Sequence, residues 1–300
     1  MSRFNSSRRT FLKGLGMLGV SSTVSSTALL STLARAQQPE LTDEDICRQR
    51  FFQAKKRYLH EKPIGDVVAM TGFLFCGTPY VAQTLEAPGD EHLIVNLRGL
   101  DCVTFVESAL ALARCVKLQT PTFDAYKQQL QRIRYRSGVI AGYPSRLHYF
   151  SDWISDNERK GIVRNVTKSL GGKSIKKKID FMSTHPSSYR QLSNSQFLEK
   201  IKATERELSA SEQFIIPKER LASVEGNIQH GDIIAITTSV PGLDVSHTGM
   251  AFRLDGVLRY LHAPLSKGTV QMSEGSLAAY LAGKGKQTGI MVARPLEPST

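Results

Sequence analysis

The hydrophobic pattern of the chain changes period partway along. Over residues 41–58, Ile46, Phe51, Phe52, Ala54 and Tyr58 make a partial apolar face on a polar, helix-compatible segment, which Lys62-Pro63 ends. Residues 64–75 are more apolar and read as a segment packed on the core. Gly77-Thr78-Pro79-Tyr80 and Ala87-Pro88-Gly89-Asp90 carry turn chemistry. Then Val103, Phe105, Val106, Ala109, Leu110 and Ala113 recur at helical spacing behind Asp101, a good N-cap type. A second amphipathic helix is predicted over 122–133, opened by Thr122, and another over 193–208. After Gly226 the period shortens. Strands are predicted at 231–238, 247–253 and 257–262, the last two joined by an Asp255-Gly256 hairpin turn. A short strand at 269–272, a helix at 273–281 and a strand at 289–293 follow. Helices first and an antiparallel meander second predict an α+β fold, with the helix that begins at Cys102 packed on the sheet. Residues 135–192 show little periodicity. Their aromatic stretch, Gly142-Tyr143-Pro144-Ser145-Arg146-Leu147-His148-Tyr149-Phe150-Ser151-Asp152-Trp153, reads either as a cleft wall, with Arg146 as a carboxylate clamp, or as a small satellite core under a long loop.

The first 36 residues stand apart from this pattern. Ser7-Arg8-Arg9-Thr10-Phe11-Leu12-Lys13 is a twin-arginine element, the stretch 14–33 is weakly apolar, and Ala34-Arg35-Ala36 is an A-x-A cleavage pattern. Together they predict a Tat-type export signal cut after Ala36, and a single domain over 37–300 with an insertion at about 135–192. No segment is apolar enough for a stable membrane span. The expected location is the periplasm or another exported compartment, reached through the Tat machinery. Loss of the signal's five basic residues (Arg3, Arg8, Arg9, Lys13, Arg35) lowers the formal charge from +12 to +7. A basic exported protein suits an anionic wall polymer or lipid head groups better than nucleic acid, which is not expected as a partner.

Four cysteines are present, Cys47, Cys76, Cys102 and Cys115, with no CxxC. Cys76 and Cys115 read as small buried residues, and a free Cys102 leaves at most one internal disulfide. A thiol at the start of a helix feels the positive end of the dipole and nearby unpaired N–H groups, so a lowered pKa is expected for Cys102. The meander supplies partners. Across an Asp255-Gly256 turn, His247 and His262 should be cross-strand neighbours, one a base toward Cys102, the other fixing its tautomer. A metal site from the same three residues is chemically conceivable, but no CxxC or carboxylate ligand spacing accompanies it, so neither metal nor cofactor is expected.

These residues carry a resemblance. Gly77-Thr78-Pro79-Tyr80-Val81, Leu100-Asp101-Cys102 and Val245-Ser246-His247-Thr248-Gly249-Met250 resemble the signatures of NlpC/P60 cell-wall cysteine peptidases. More closely, residues 96–107, 146–153, Phe181-Met182-Ser183 and 231–247 resemble the exported branch described as N-acetylmuramoyl-L-alanine amidase-like, over nearly the whole mature chain. The resemblance implies a papain-like α+β fold, Cys102 as nucleophile, His247 as base, His262 in the polar third position, and Tyr80 facing the nucleophile. The residues expected to contact substrate are Tyr80, Asp101, Arg146, His148, Trp153 and Ser246. The chain departs from the superfamily at Ala82-Gln83-Thr84, where W-G-G is usual, and in the long insertion. The implied substrate is a peptidoglycan stem or soluble muropeptide. The N-acetylmuramoyl-L-alanine amide is favoured over the γ-D-glutamyl–diamino acid bond. Acyl transfer to another acceptor and non-catalytic wall binding are the other classes compatible with the chain.

Overall fold

A computed structural model of the chain describes residues 40–299. The expected export signal and its expected cleavage point lie outside the described residues. Helix α1 (Asp43–Lys56) opens with a capping box in which the Thr42 hydroxyl accepts from Asp45 N while the Asp45 side chain accepts from Thr42 N. Pro63 caps the start of α2 (Ile64–Phe73), the apolar segment of the sequence. Helix α3 (Cys102–Lys117) is buried from Thr104 through Val116, as its alanine-rich composition allows. Helix α4 (Phe123–Arg134) starts where Thr122 accepts from Ala125 N. Glu107 on α3 and Arg134 on α4 form a buried ion pair at 2.7 Å, and Arg134 also donates to Ile94 O at 2.6 Å. This pair fixes α3 against both α4 and the loop leading to Cys102.

The stretch without clear periodicity contains α5 (Phe150–Arg159), β1 (Val163–Asn165), β2 (Lys173–Ile175) and the four-residue α6 (Phe181–Thr184). Helix α5 does carry a helical signal, Phe150, Trp153 and Ile154, but one too short to stand out. Next come α7 (Ser195–Ala210), capped by Asn194, β3 (Gln213–Pro217) and the short α8 (Leu221–Val224). The strand β3 was not expected from its three consecutive apolar residues. It exists because Gly289 lets its backbone approach: a Cβ there would lie 2.2 Å from Ile216 O.

The rest is β4 (Ile233–Thr238), β5 (Val245–Leu254), β6 (Val257–His262), β7 (Gln271–Met272), α9 (Leu277–Ala282) and β8 (Gln287–Pro295). The sheet runs β2-β3-β8-β4-β5-β6-β7, antiparallel at each of these pairings, with β1 also on β8. The meander expected from the sequence is its centre, and the α+β class holds. Both sheet faces are covered. Ile233, Ala235, Met250 and Leu261 join the core built with α1 to α5, while Ile234, Ile236, Ala251 and Tyr260 pack with Leu221, Leu277 and Leu281. Two-sided burial explains the unbroken apolar run of β4. A third cluster, including Tyr143, Tyr149, Ile179, Met182 and Leu208, is the satellite core of the insertion.

Candidate active site

The site is assembled where α3 begins against β5. Asp101 Oδ1 accepts from Val103 N (3.0 Å) and Thr104 N (2.8 Å), and Asp101 N donates to Thr104 Oγ1, so the carboxylate serves as the helix cap rather than as an open substrate contact. Cys102 is the first helical residue and is partly exposed. The Thr248 hydroxyl donates to Cys102 O at 2.9 Å and ties β5 to the helix start. His247 therefore stands one residue from a strut that reaches Cys102. Both line one cavity of about 200 Å³, together with His148, Tyr149, Asp244 and Ser246.

His247 Nε2 and His262 Nδ1 lie 2.7 Å apart. The pairing is diagonal, not directly cross-strand as the spacing suggested. The hairpin turn, with positive φ at both Asp255 and Gly256, sets Leu254 opposite Val257 and Gly249 opposite His262. The turn centre lies between Asp255 and Gly256, a full residue beyond the centre that pairing 247 with 262 would need, so His247 is two positions farther from the turn than the true partner of His262. Both side chains still share a face, because residues two apart on a strand point the same way. Gly249 makes room for this. A Cβ at 249 would fall 2.5 Å from Leu261 O and 2.7 Å from the Tyr260 ring. Tyr260 in turn stacks on His262 at 4.7 Å (28°) and meets His247 edge-on at 5.8 Å.

Burial dominates the electrostatics. It pushes the Cys102 thiol up to about 12, with the Asp101 carboxylate adding to the rise; the N–H groups of Thr248, Cys102 and Val103 pull the other way but do not prevail. This reverses the lowered thiol pKa expected from the helix dipole alone. Burial, then the Lys284 ammonium, lowers His247 to about 4. The resting pair is thus thiol and neutral imidazole. If His247 Nε2–H donates to His262 Nδ1, His247 Nδ1 keeps its lone pair.

The other expected contacts divide. His148 is in the cavity, its Nε2–H donating to Tyr143 O at 2.9 Å, and burial followed by the Arg146 charge lowers its pKa to about 3. Ser246 is exposed on the cavity wall. Tyr80 is half-buried and close enough to Cys102 and Asp101 for their charges to reinforce the effect of burial in raising its pKa. Two expectations fail. Trp153 is fully buried and stacks on Phe150 at 4.8 Å (10°), so it belongs to the core and not to a cleft wall. Arg146 is buried and already paired with Glu86 (2.7 Å) and Glu91 (3.3 Å), so it is no open clamp. All four cysteines are free thiols; Cys115 is buried as expected, whereas Cys76 is exposed. Tyr189 and Asp244 line the cavity without having been singled out, and Tyr149, from the stretch read as a possible cleft wall, and Met182 line it too. Tyr149 and Met182 belong to the satellite core, and no periodic pattern marks them as facing Cys102. Among the described residues, no group of three or more His, Cys, Asp or Glu is placed to hold a metal ion.

With this geometry in view, the comparisons with known proteins are specific. The chain matches the N-acetylmuramoyl-L-alanine amidase-like family over residues 70–290 and belongs to that family. A crystal structure of an N-acetylmuramoyl-L-alanine amidase from Bacteroides uniformis is 42% identical, covering 78% of this chain and 99% of that one, with a TM-score of 0.74. A protein from Bacteroides fragilis that carries a xylanase name is 42% identical, covering 75% of this chain and 99% of that one, at 0.71. A Legionella pneumophila protein, 21% identical over 84% of this chain and 94% of its own, shares the fold at 0.65. A search among curated proteins found no match.

Proposed function

We propose that the chain is an exported, cysteine-dependent amidohydrolase of the NlpC/P60 type with a papain-like fold, cleaving the N-acetylmuramoyl-L-alanine amide of peptidoglycan or muropeptides. One observation carries the reading: Cys102, at the start of α3, shares a cavity with His247, whose Nε2 lies 2.7 Å from His262 Nδ1. The family supplies the amide and the cell wall. The twin-arginine element and A-x-A pattern support export, and among the described residues no helix is long and apolar enough to cross a membrane.

In this mechanism the proton moves from Cys102 Sγ to His247 Nδ1 as sulfur attacks the amide carbonyl, because neither resting group is charged at neutral pH. The resulting imidazolium donates through Nε2 to His262. The Cys102 N–H, with the Tyr80 hydroxyl nearby, receives the developing oxyanion. His247 returns the proton to the leaving amine, and water hydrolyses the thioester. A glycosidase needs two carboxyl groups flanking the scissile bond. The two carboxylates at this site are already committed, Asp101 to the α3 cap and Asp244 to Ser151 N and Val245 N at 2.7 Å each. That chemistry favours the amide over the glycosidic bond.

Mass spectrometry of muropeptides after incubation tests the reading. Free disaccharide with an intact stem peptide is the expected product; L-Ala-D-Glu retained on the sugar indicates the endopeptidase bond instead. Cys102→Ala is expected to fold normally and lose hydrolysis by at least about a thousandfold. Undiminished turnover in that variant rules out the mechanism.

A further inference from the structure

His262 also lines a second cavity, of about 290 Å³, which Cys102 and His247 do not line. We infer that this cavity is a carboxylate subsite, in which the Lys284 ammonium, the Gln271 Nε2–H and the Tyr280 hydroxyl hold a carboxylate on the peptide portion of the substrate. The inference rests on the preceding reading of the Cys102 site as a muropeptide amidase and names the group that a neighbouring subsite recognises.

The register of the sheet builds the cavity. β6 and β7 pair His262 with Gln271, so both side chains project from the same face. Gln271 Nε2 is buried and, among the described residues, has no hydrogen-bond partner. A donor left in that state is desolvated without compensation, and an incoming acceptor would satisfy it. Tyr280, from α9, packs edge-on against His262 at 5.0 Å. Lys284 Nζ sits 5.4 Å from the centre of the Tyr280 ring and has no ion-pair partner among the described residues. The Ser273 hydroxyl is already spent, accepting from Tyr260 N and donating to Gly275 O. Glu274 stands exposed at the rim and has an interaction of its own.

The groups left over are an ammonium, an amide N–H and a phenol O–H. All three donate, and one carries a full positive charge. A carboxylate supplies the acceptor oxygens and the countercharge together. The cavity also lies within electrostatic reach of the reacting groups: the Lys284 charge is felt at His247, and a thiolate formed at Cys102 would be felt at Tyr280. A stem peptide held across Cys102 carries such a group in its glutamyl α-carboxylate.

The test uses two synthetic muropeptides that differ only in whether that glutamyl group is a free carboxylate or a carboxamide. Wild-type protein is expected to favour the carboxylate form by about tenfold in kcat/KM, mainly through KM. Lys284→Gln should bring the ratio close to one, and Lys284→Arg should keep most of it. Calorimetry with Cys102→Ala protein repeats the comparison without turnover, alone and combined with Lys284→Gln. Equal binding and equal kcat/KM for the two peptides overturn the subsite, as does a preference that survives Lys284→Gln. If wild type cleaves neither peptide, yet Cys102→Ala binds the carboxylate form in a Lys284-dependent way, the amidase reading fails and the subsite stands.

Discussion

At Cys102 two influences compete, and their balance sets the chemistry. The helix start and three backbone N–H groups favour a thiolate, but desolvation beside Asp101 outweighs them. His247 is likewise held neutral by burial. A neutral pair transfers its proton during attack instead of before it. The acid limb of kcat/KM is therefore expected near pH 4, well below the ordinary histidine value of 6.5. A pH–rate profile with its acid limb centred at 6.5 contradicts the lowered His247 pKa. Stability follows the same sign. His247 and His148 bind protons in the unfolded chain near pH 6.5 but in the folded chain only near 4 and 3. Their contribution is fully present above 6.5 and is lost as pH falls through that window, which equilibrium denaturation from pH 7 to 3 measures.

The β5–β6 hairpin is the element that creates the histidine pair. Its turn chemistry and the equal parity of 247 and 249 were legible from residue spacing. Direct pairing of 247 with 262 does not hold, because a two-residue turn at Asp255-Gly256 opposes 254 to 257 and hence 249 to 262. Gly249 links register to site: it faces His262 and leaves the space that Tyr260 fills. Gly249→Ala should force Tyr260 and Leu261 outward at a cost of about 1–3 kcal/mol. It should also depress kcat beyond what that loss of stability explains, since the Tyr260 ring stacks on His262. Urea denaturation alongside kinetics separates the two effects, and full kcat in a destabilised variant would show that Tyr260 does not position the pair.

On the scale of the whole molecule, the segment between Tyr80 and Asp101 is fastened to the insertion. Arg146 joins Glu86 and Glu91 and stacks over Tyr143 at 4.9 Å, Tyr135 Oη donates to Glu91 at 2.8 Å, and Gln191 Nε2 donates to Gly89 O at 2.8 Å. These contacts make the segment and the insertion a latch. Arg146→Met should leave Glu91 buried without its cation, locally destabilising by about 3–5 kcal/mol. Faster amide hydrogen exchange over residues 82–95 is expected. Exchange that accelerates evenly over the whole chain would mean that the latch is no separate unit. His148 lines the Cys102 cavity and adjoins Arg146, so the same variant reports on how the insertion shapes the cleft.

The sequence alone determined the elements with strong periodicity and the residues with distinctive chemistry: α3 behind its Asp101 cap, the central meander, and Cys102 with two histidines at matched spacing. Local sterics, capping and side-chain alternation act over a few residues, so they can be read from a short stretch. Only the tertiary structure decided which polar and aromatic groups stay available. Trp153 went to the core and Arg146 to two glutamates, while His148 stayed in the cavity. It also turned the expected thiolate into a thiol. Burial and pairing depend on partners 40 to more than 100 residues away, such as Arg134 with Ile94 or Thr248 with Cys102, and no local pattern encodes them.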